Sequence, residues 1–526
     1  MDLFAKGVVG GVTSTREARR TTFDAVVDTD GVARASRHTL LAQVATQVSR
    51  LAVSIILARL LTPSEFGVVA AGMVVMVVAW QLTDLGTSAV IVQRDVIDDA
   101  LVSSLFWFNL ALGVLLSAIT VAGAGPLATA LGQPQAAPAI QALAAVSFLG
   151  ALGNMHHALL RRTMQFGRLA TITIANALVN SLLGISLALA GAGIWALVLG
   201  TVAGVAVSTA AAWWFERWRP SATFSVRRLR DVARFSIHFF WSNALAVVFG
   251  QLDKIIISRM LGGAALGTYT VAQRTVLSPV SAVSGTVSAV SFSAFSRGQD
   301  DPDRMRSGAT RALGVVALVV LPTMVGLAVL AEEAVAVVYG PQWASAVPVM
   351  QVLAPVAAVQ AAACVTASVM LAMGRSDWLY RWALANCLVG AGAMVVGAQW
   401  GLVGVSLALA AVVTLLTPFE MRMALRLIDL HLSTYLRTLV PHAVITSVMA
   451  LTAWLVAGGI EALGGADVEQ LLGGAAAGAV VYLVLMWRSG VPAVDDARRV
   501  VGRWAVRRSG ADRSGGDETS VNGPLG

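Results

Sequence analysis

The sequence predicts an all-α protein that crosses a membrane about fourteen times. Hydrophobic residues make up 57% of the chain and charged residues only 13%, and the mean hydropathy is +0.75. Soluble domains average about 45–50% apolar and about 25% charged residues. A helix needs roughly 20 apolar residues to cross a bilayer, and about fourteen stretches meet that length. These predicted spans are 39–61, 66–91, 100–124, 138–160, 168–190, 192–215, 236–261, 267–292, 309–331, 346–373, 378–398, 401–421, 438–459 and 469–487.

Arginines fall almost entirely into alternate loops, and this pattern predicts the orientation. The loops at 161–168, 216–234 and 422–437 are rich in arginine, whereas those at 125–137, 331–345 and 460–468 contain neither Lys nor Arg. Cytoplasmic loops carry the excess of Lys and Arg, so we expect a multi-pass protein of the bacterial cytoplasmic membrane with both termini inside. The pI is about 10.3. We attribute it to the basic loops that set the orientation and attract anionic membrane lipids, and not to nucleic-acid binding.

An internal repeat predicts the domain organisation. Residues 55–61 match residues 255–261 at an offset of 200, and Gly67 falls on Gly267. Further matches link residues 166–197 with residues 373–408 at offsets of 207 to 211. We predict two six-helix lobes, related by a pseudo-twofold axis along the membrane normal because six is even, with a substrate site at the repeat interface. The predicted segments are a cytoplasmic N-terminal segment at 1–37, an N-lobe at 38–215, a basic linker at 216–235, a C-lobe at 236–424, two further spans with their preceding loop at 425–487, and a largely disordered tail at 488–526.

Polar residues inside the spans are the candidate binding residues, because ionisable groups are costly there. Arg50 lies on one helical face with other polar residues of the first span, and the offset of 200 relates the end of this stripe to Lys254. Facing each other across a cavity, these two cations could hold a pyrophosphate, or Lys254 could pair with Asp253 or extend towards the membrane surface. We interpret Asp84 as the partner of a neighbouring Arg, with proton or sodium coupling as the alternative. The candidate cavity residues are Gln43, Gln47, Arg50, Asp84, Asn243, Asp253, Lys254, Gln273 and Arg274.

Other polar positions have structural interpretations. Arg59 and Arg259 lie near the outer ends of their spans, where they could cap helices, pair with Glu65 or form an anionic-substrate ring. We expect His156 and His157 to be a solvated pair at the membrane surface, with a titrating switch as the alternative. The amides inside spans are expected to link helices by hydrogen bonds; they are Asn109, Asn154, Asn176, Asn180, Gln360 and Asn386.

The motifs of enzymes and metal sites are missing from the sequence. It contains no phosphate-cradling Gly-x-x-x-x-Gly-Lys loop and no Cys/His cluster. The two cysteines, Cys364 and Cys387, both fall inside predicted spans, so we expect no disulfide and no metal. We therefore predict a transporter without cofactors, driven by a proton or sodium gradient or by the membrane potential.

Several short motifs carry a family resemblance across roughly residues 38–430. They include Leu60 to Gly67, Asp84-Leu85-Gly86, Phe106 to Leu110, Leu160 to Ala170, Gln251 to Ile257, Phe295-Ser296-Arg297, Gly340 to Trp343 and Trp400 to Val405. Together they resemble the polysaccharide-transporter branch of the multidrug/oligosaccharidyl-lipid/polysaccharide exporter superfamily.

The resemblance implies an alternating-access flippase. Its substrates would be oligosaccharides linked to undecaprenyl pyrophosphate, moved for O-antigen, capsule or exopolysaccharide synthesis, with a polysaccharide polymerase and glycosyltransferases as partners. The alternatives are a multidrug or metabolite exporter, a lipid II flippase of the same superfamily, and an integral-membrane polysaccharide polymerase. A drug exporter would need an acidic cavity, and a polymerase would need a large outer loop, whereas the predicted outer loops are short.

Overall fold

The structure of the protein is a computed structural model that describes residues 55–84, 86–94, 97–230, 247–299 and 301–490. Within these ranges every regular element is a helix, as predicted. The α-helices are α1 Pro63–Asp84, α2 Thr87–Gln93, α3 Asp99–Ala122, α4 Ala124–Ala130, α5 Ala137–Arg162, α6 Phe166–Leu189, α7 Ile194–Phe215, α8 Leu252–Arg297, α9 Pro302–Val329, α10 Ala331–Val338, α11 Ala346–Ala372, α12 Ser376–Gly397, α13 Gly401–Leu425, α14 Leu432–Arg437, α15 Leu439–Ala462 and α16 Asp467–Arg488.

Eleven helical stretches of the described residues are long and apolar enough to cross a membrane. The protein is therefore a multi-pass membrane protein. Two of these stretches, Val247–Arg297 and Ser376–Ile428, are 51 and 53 residues long, which is more than twice the length that one crossing needs. The total of about fourteen stays a prediction, since most of the first predicted span lies outside the described residues.

The long stretch around α8 is two helices that fold back on each other at Gly262. Gly262 has φ 84° and ψ −177°, a conformation that is essentially restricted to glycine. The Tyr269 hydroxyl and the Gln273 amide both donate to the Asp253 carboxylate, at 3.0 and 2.8 Å. In a straight helix, residues 253 and 273 would be about 30 Å apart. The hydrogen bonds thus show two antiparallel arms, 252–261 and 263–297. The sequence had predicted two separate spans here, at 236–261 and 267–292.

The second long stretch also reverses direction. Gly401, with φ 72°, is the first residue of α13. Across the reversal, the Trp382 indole N–H of α12 donates to the Glu420 carboxylate of α13 at 2.9 Å. Gly397 and Gly404 face each other beside this turn, where a Cβ on either would overlap the carbonyl oxygen of the other. Glycine at both positions lets the two backbones approach closely.

The described contacts divide the chain into two compact units. Of the described residues, unit 1 comprises 55–60, 75–84, 86–94, 97–127 and 137–230, and unit 2 comprises 61–74, 128–136, 247–299 and 301–490. The start of α1 and the segment before α5 therefore pack within unit 2. The sequence repeat predicted that both segments would belong to the N-lobe, so it gave no sign that they pack within unit 2.

In unit 1, an aromatic cluster surrounds a buried histidine. His156 is 0% exposed, stacks on Trp213 with 4.3 Å between the ring centroids, and has Nε2 3.3 Å from the Trp218 carbonyl oxygen. Phe106 contacts the same rings edge to face. The expectation of a solvated histidine pair was wrong for His156, because three aromatic side chains from α3, α7 and the segment after α7 cover it.

In unit 2, the start of α1 packs against the second arm of α8 through a reciprocal glycine contact. A Cβ on Gly67 would overlap the carbonyl oxygen of Gly263, and a Cβ on Gly267 would overlap that of Pro63. Each pair of positions is related to the other by the offset of 200 residues. Reciprocal contacts of this kind are the mark of a local two-fold axis, which supports the repeat inferred from the sequence.

Candidate functional site

A cavity of about 380 Å³ lies inside unit 2, between both arms of α8 and helices α11, α12 and α13. On each helix the lining residues recur every three or four positions, so that one face of each helix is turned towards the cavity. Its walls are mainly apolar, as in most ligand sites. The polar side chains that line it are Asp253, Tyr269, Gln273, Gln360, Asn386, Thr417 and Glu420.

Asp253 is the centre of a hydrogen-bonded cluster at this cavity. Its Oδ2 accepts from Tyr269 and Gln273, and its Oδ1 accepts from the backbone N–H of Lys254 at 2.8 Å. The Gln273 amide also donates to the Tyr269 hydroxyl at 3.2 Å. Tyr269 is wholly buried, whereas Asp253 and Gln273 are half-buried. The carboxylate is therefore held in a fixed position, with part of its surface open to the cavity.

Glu420 supplies the second carboxylate of the cavity. Its Oε2 accepts from the Trp382 indole N–H at 2.9 Å, and Glu420 is half-buried. The Asn386 amide donates weakly to the Trp382 carbonyl oxygen at 3.4 Å, which leaves its own carbonyl oxygen for another partner. Carboxylates accept hydrogen bonds only, while amides both donate and accept. The arrangement thus presents both acceptors and donors to a ligand.

The charge of this cavity differs from the expected one. Among the described residues that line it there is no Lys or Arg. The Lys254 amine donates to the Gln251 amide oxygen at 3.2 Å, and no ion pair joins Lys254 to Asp253 in the described part of the chain. Arg274 is exposed, and the cavity is lined by its neighbour Gln273 instead. Asp253 and Glu420 therefore make this cavity acidic.

Asp84 has a structural role at the end of α1. Its Oδ1 accepts from the Ser88 hydroxyl at 2.8 Å, from the Ser88 backbone N–H at 3.1 Å and from the Thr87 hydroxyl at 3.0 Å. Gly86 adopts a left-handed conformation between α1 and α2. Asp84 thus caps α2, where the sequence predicted one uninterrupted span from 66 to 91.

The remaining candidates are placed as follows. Gln43, Gln47, Arg50 and Asn243 lie outside the described residues, so their roles stay predictions. Arg59 and Arg259 are both exposed. Glu65, a proposed partner of Arg59, forms a capping box with Thr62: its carboxylate accepts from the Thr62 backbone N–H at 2.8 Å, and the Thr62 hydroxyl accepts from the Glu65 N–H at 3.3 Å.

Five polar cavity residues were missed or interpreted differently from the sequence, and of these Tyr269 and Thr417 were not singled out at all. Glu420 was not singled out, because it lies next to the last residue of its predicted span and beside the arginine-rich loop. Its position inside a span was nevertheless a usable signal. Gln360 and Asn386 were interpreted as links between helices, yet both line the cavity. Asn109 does link helices, since its amide donates to the Thr87 hydroxyl at 2.7 Å.

The family model described as polysaccharide biosynthesis protein matches residues 56–348. The chain belongs to this family. Among relatives in the polysaccharide biosynthesis family, the succinoglycan biosynthesis transport protein ExoT of Rhizobium meliloti is 31% identical over 344 residues, which cover 65% of this chain and 69% of ExoT. The teichuronic acid biosynthesis protein TuaB of Bacillus subtilis is 27% identical over 408 residues, covering 77% and 84%.

Solved structures agree with the helical fold of this family member. The lipid II flippase MurJ in an inward closed conformation has a TM-score of 0.70 at 13% identity, covering 85% of this chain and 98% of its own. An inward-facing multidrug resistance MATE family transporter of the MOP superfamily has a TM-score of 0.60 at 16% identity, covering 73% and 94%. At these identities the likeness establishes the fold alone. The family resemblance that the motifs indicated is confirmed by the family model.

Proposed function

We propose that this protein is a flippase that moves lipid-linked oligosaccharide units across the cytoplasmic membrane for surface polysaccharide synthesis. Membership of the polysaccharide biosynthesis family carries the proposal. Its support is that ExoT, a relative at 31% identity, is named as a transport protein of succinoglycan biosynthesis. The described residues hold many apolar helices and a cavity lined partly by carboxylates and amides, which is what a transporter of a bilayer-anchored sugar requires. A transporter rather than an enzyme is therefore the role that we assign.

The acidic cavity of unit 2 suits the sugar part of such a substrate. Sugar hydroxyls donate hydrogen bonds to carboxylates and both donate to and accept from amides. Asp253 and Glu420 supply the carboxylates. The amides are those of Gln273, Gln360 and Asn386. A pyrophosphate would be repelled by the two carboxylates. We infer that the unit 2 cavity receives sugar residues and that the pyrophosphate is bound elsewhere.

Arg50 remains the proposed pyrophosphate ligand. Arg binds phosphate oxygens with two parallel hydrogen bonds, each charge-assisted contact contributing about 1.5–3 kcal/mol. Arg50→Ala should therefore abolish surface polysaccharide at normal protein abundance, and Arg50→Lys should restore part of it. If Lys254→Ala gave the same loss, the predicted pair of cations would be supported. Loss of protein abundance with normal transport per molecule would show a structural role.

The test of the flippase function uses a strain that lacks this protein. Surface polysaccharide should be restored by the wild type and by Gln351→Ala, and strongly reduced by Gln360→Ala. Both glutamines lie on α11, but only Gln360 lines the cavity. Accumulation of lipid-linked oligosaccharide on the cytoplasmic side should accompany the loss. Normal polysaccharide without the protein would refute the proposal.

The predicted orientation is proposed together with the function. A single cysteine introduced in the loop at 460–468 should react with an impermeant thiol reagent added to intact cells. One introduced in the segment 216–230 should react only after the cells are opened. The reverse pattern would contradict both the orientation and the cytoplasmic termini.

Export of an organic cation is the second candidate function, and one observation favours it. Asp253 and Glu420 give the unit 2 cavity the acidic character that a cationic drug needs. In this case, loss of the protein should increase sensitivity to cationic dyes and leave surface polysaccharide unchanged. The flippase proposal predicts the opposite pair of results. The coupling ion of either transporter, proton or sodium, is also a proposal, which transport measured with each gradient alone would test.

A further inference from the structure

Two hollows in unit 2, distinct from the Asp253 cavity, lie next to each other and share Leu436 as a lining residue. The first, of about 590 Å³, lies between the end of α13 and α14 and is lined by Arg422, Arg426 and His431. The second, of about 310 Å³, lies between α9, α11, α13 and the start of α15 and is lined almost entirely by Leu, Val, Ala, Pro and Met side chains. We call them the basic hollow and the apolar slot. Leu436 lines both.

Helical geometry places the two hollows next to each other along α13. Thr414 and Pro418 of α13 line the apolar slot, while Arg422 near its end and Arg426 directly after it line the basic hollow. Thr414, Pro418 and Arg422 follow each other at intervals of four, which keeps them on neighbouring positions of one helix face. The wall therefore changes from apolar to cationic between Pro418 and Arg422, within about 6 Å of helix.

The charge of the basic hollow is positive. Asp429 is the one acidic residue among the described residues that line it. Its carboxylate lies 3.8 Å from the guanidinium of Arg306, which also donates to the Ile428 carbonyl oxygen at 2.7 Å. Arg422 and Arg426 are exposed and form no ion pair within the described part of the chain. Two guanidinium groups are thus present for an anion.

The two hollows lie on a different side of α13 from the Asp253 cavity. Leu409, Val413 and Glu420 line the Asp253 cavity, and by the 100° advance per residue they point away from Pro418 and Arg422. Thr417, between the two faces, lines both the cavity and the apolar slot. A ligand in the two hollows would therefore lie behind the helix that presents Glu420 to the cavity.

We propose that the two adjacent hollows bind an anionic phospholipid of the bilayer, with its phosphate at Arg422 and Arg426 and one acyl chain in the apolar slot. Guanidinium groups bind phosphate oxygens in pairs, and basic pockets between membrane helices bind anionic lipid head groups. A free phosphate would use the basic hollow only. The lipid comes from the bilayer and is not the transported molecule, because the site faces away from the cavity that receives the sugar.

Native mass spectrometry of the full-length protein in detergent tests this proposal. Phosphatidylglycerol should bind, and phosphatidylcholine of the same chain length and glycerol phosphate should bind far more weakly. The double variant Arg422→Gln/Arg426→Gln should lose about twenty-five-fold in phosphatidylglycerol affinity, since each basic side chain near an anionic lipid contributes a factor of about five. Arg381→Gln, which removes an exposed arginine outside both hollows, is the matched control and should bind normally.

The apolar slot is tested separately. Ala358→Leu adds three carbon atoms in the slot and should weaken phosphatidylglycerol binding while both arginines are intact. Ala383→Leu, on the exposed side of α12, should not. Equal binding of phosphatidylcholine, glycerol phosphate as tight as the lipid, or unchanged affinity in the double variant would each overturn the proposal. Displacement of phosphatidylglycerol by a polyprenyl pyrophosphate at lower concentration would assign the site to the transported lipid and overturn it as well.

Discussion

Gly67 and Gly267 lie against each other in unit 2, where a Cβ on Gly267 would be 2.9 Å from the backbone nitrogen of Gly67. Each glycine also faces a carbonyl oxygen four residues before the other, at Gly263 and Pro63. The two segments carry the sequence repeat at an offset of 200 residues. The two segments that match each other in the sequence repeat are therefore also in contact in the structure.

This contact predicts that neither glycine tolerates a side chain. Gly67→Ala should lower the free energy of unfolding by about 1–3 kcal/mol, because the methyl group forces the start of α1 away from α8. The midpoint of thermal unfolding in detergent measures this effect. Gly167→Ala is the control, since a Cβ there meets nothing within 4 Å. Equal midpoints for the two variants would show that the backbones separate at no cost.

The turn at Gly262 gives a second prediction, which concerns backbone conformation alone. Gly262 has φ 84°, and a Cβ there meets nothing within 4 Å. Gly262→Ala should therefore destabilise the protein by about 1–3 kcal/mol through strain, without any steric contact. Gly285→Ala also meets nothing, but it lies in a regular part of α8 and should be neutral or slightly stabilising. If both variants unfolded at the same temperature, the Gly262 turn would not be strained by a side chain.

The Asp253 cluster predicts different results for two substitutions of the same residue. Asp253→Ala leaves the buried Tyr269 hydroxyl without its acceptor, and an unpaired buried group costs about 1–3 kcal/mol. Asp253→Asn keeps one carbonyl oxygen as acceptor and should unfold close to the wild-type temperature. We expect surface polysaccharide to fall in both variants, because both lose the negative charge at the cavity. Normal polysaccharide with Asp253→Asn would limit Asp253 to a structural role.

Glu420 allows a similar separation of charge from hydrogen bonding. Glu420→Gln retains an oxygen that accepts from the Trp382 indole N–H, so the α12–α13 pair should remain folded. The variant should nevertheless transport less, because a neutral amide is a weaker acceptor for sugar hydroxyls than a carboxylate. Glu461→Gln, at an exposed position near the end of α15, removes the same charge away from the cavity and should transport normally. Equal transport by both variants would exclude Glu420 from the transport path.

Much of the fold follows from the sequence because bilayer crossing imposes length and hydropathy on each helix. Gly262 lies in the loop predicted between two spans, and Gly401 lies where the next predicted span begins. The break between Asp84 and Thr87 was missed, because both sides of it are apolar and the hydropathy window averages across the cap. The exchange of residues 61–74 and 128–136 into unit 2 is a tertiary property, which no local pattern of residues encodes.

The site was predicted less completely than the fold. Asp253 and Gln273 were singled out as polar residues inside spans, and both line the cavity. Lys254 was predicted to line the cavity beside Asp253, but its amine donates to Gln251. Neighbouring residues on a helix point 100° apart, and packing decides which side of the helix faces the cavity. The sequence alone could not show this. Glu420 was missed because its distance from the predicted span end, one residue, is smaller than the error of such boundaries.

Reconstituted transport tests the central claim most directly. The purified protein would be placed in liposomes that contain a fluorescent oligosaccharide linked to polyprenyl pyrophosphate, and an impermeant quencher would be added outside. Wild-type protein and Gln351→Ala should make the inner-leaflet fluorophore accessible to the quencher, and Gln360→Ala, which alters the cavity, should do so much more slowly. Quenching no greater than in protein-free liposomes, with the wild type folded and a proton or sodium gradient applied, would contradict the account.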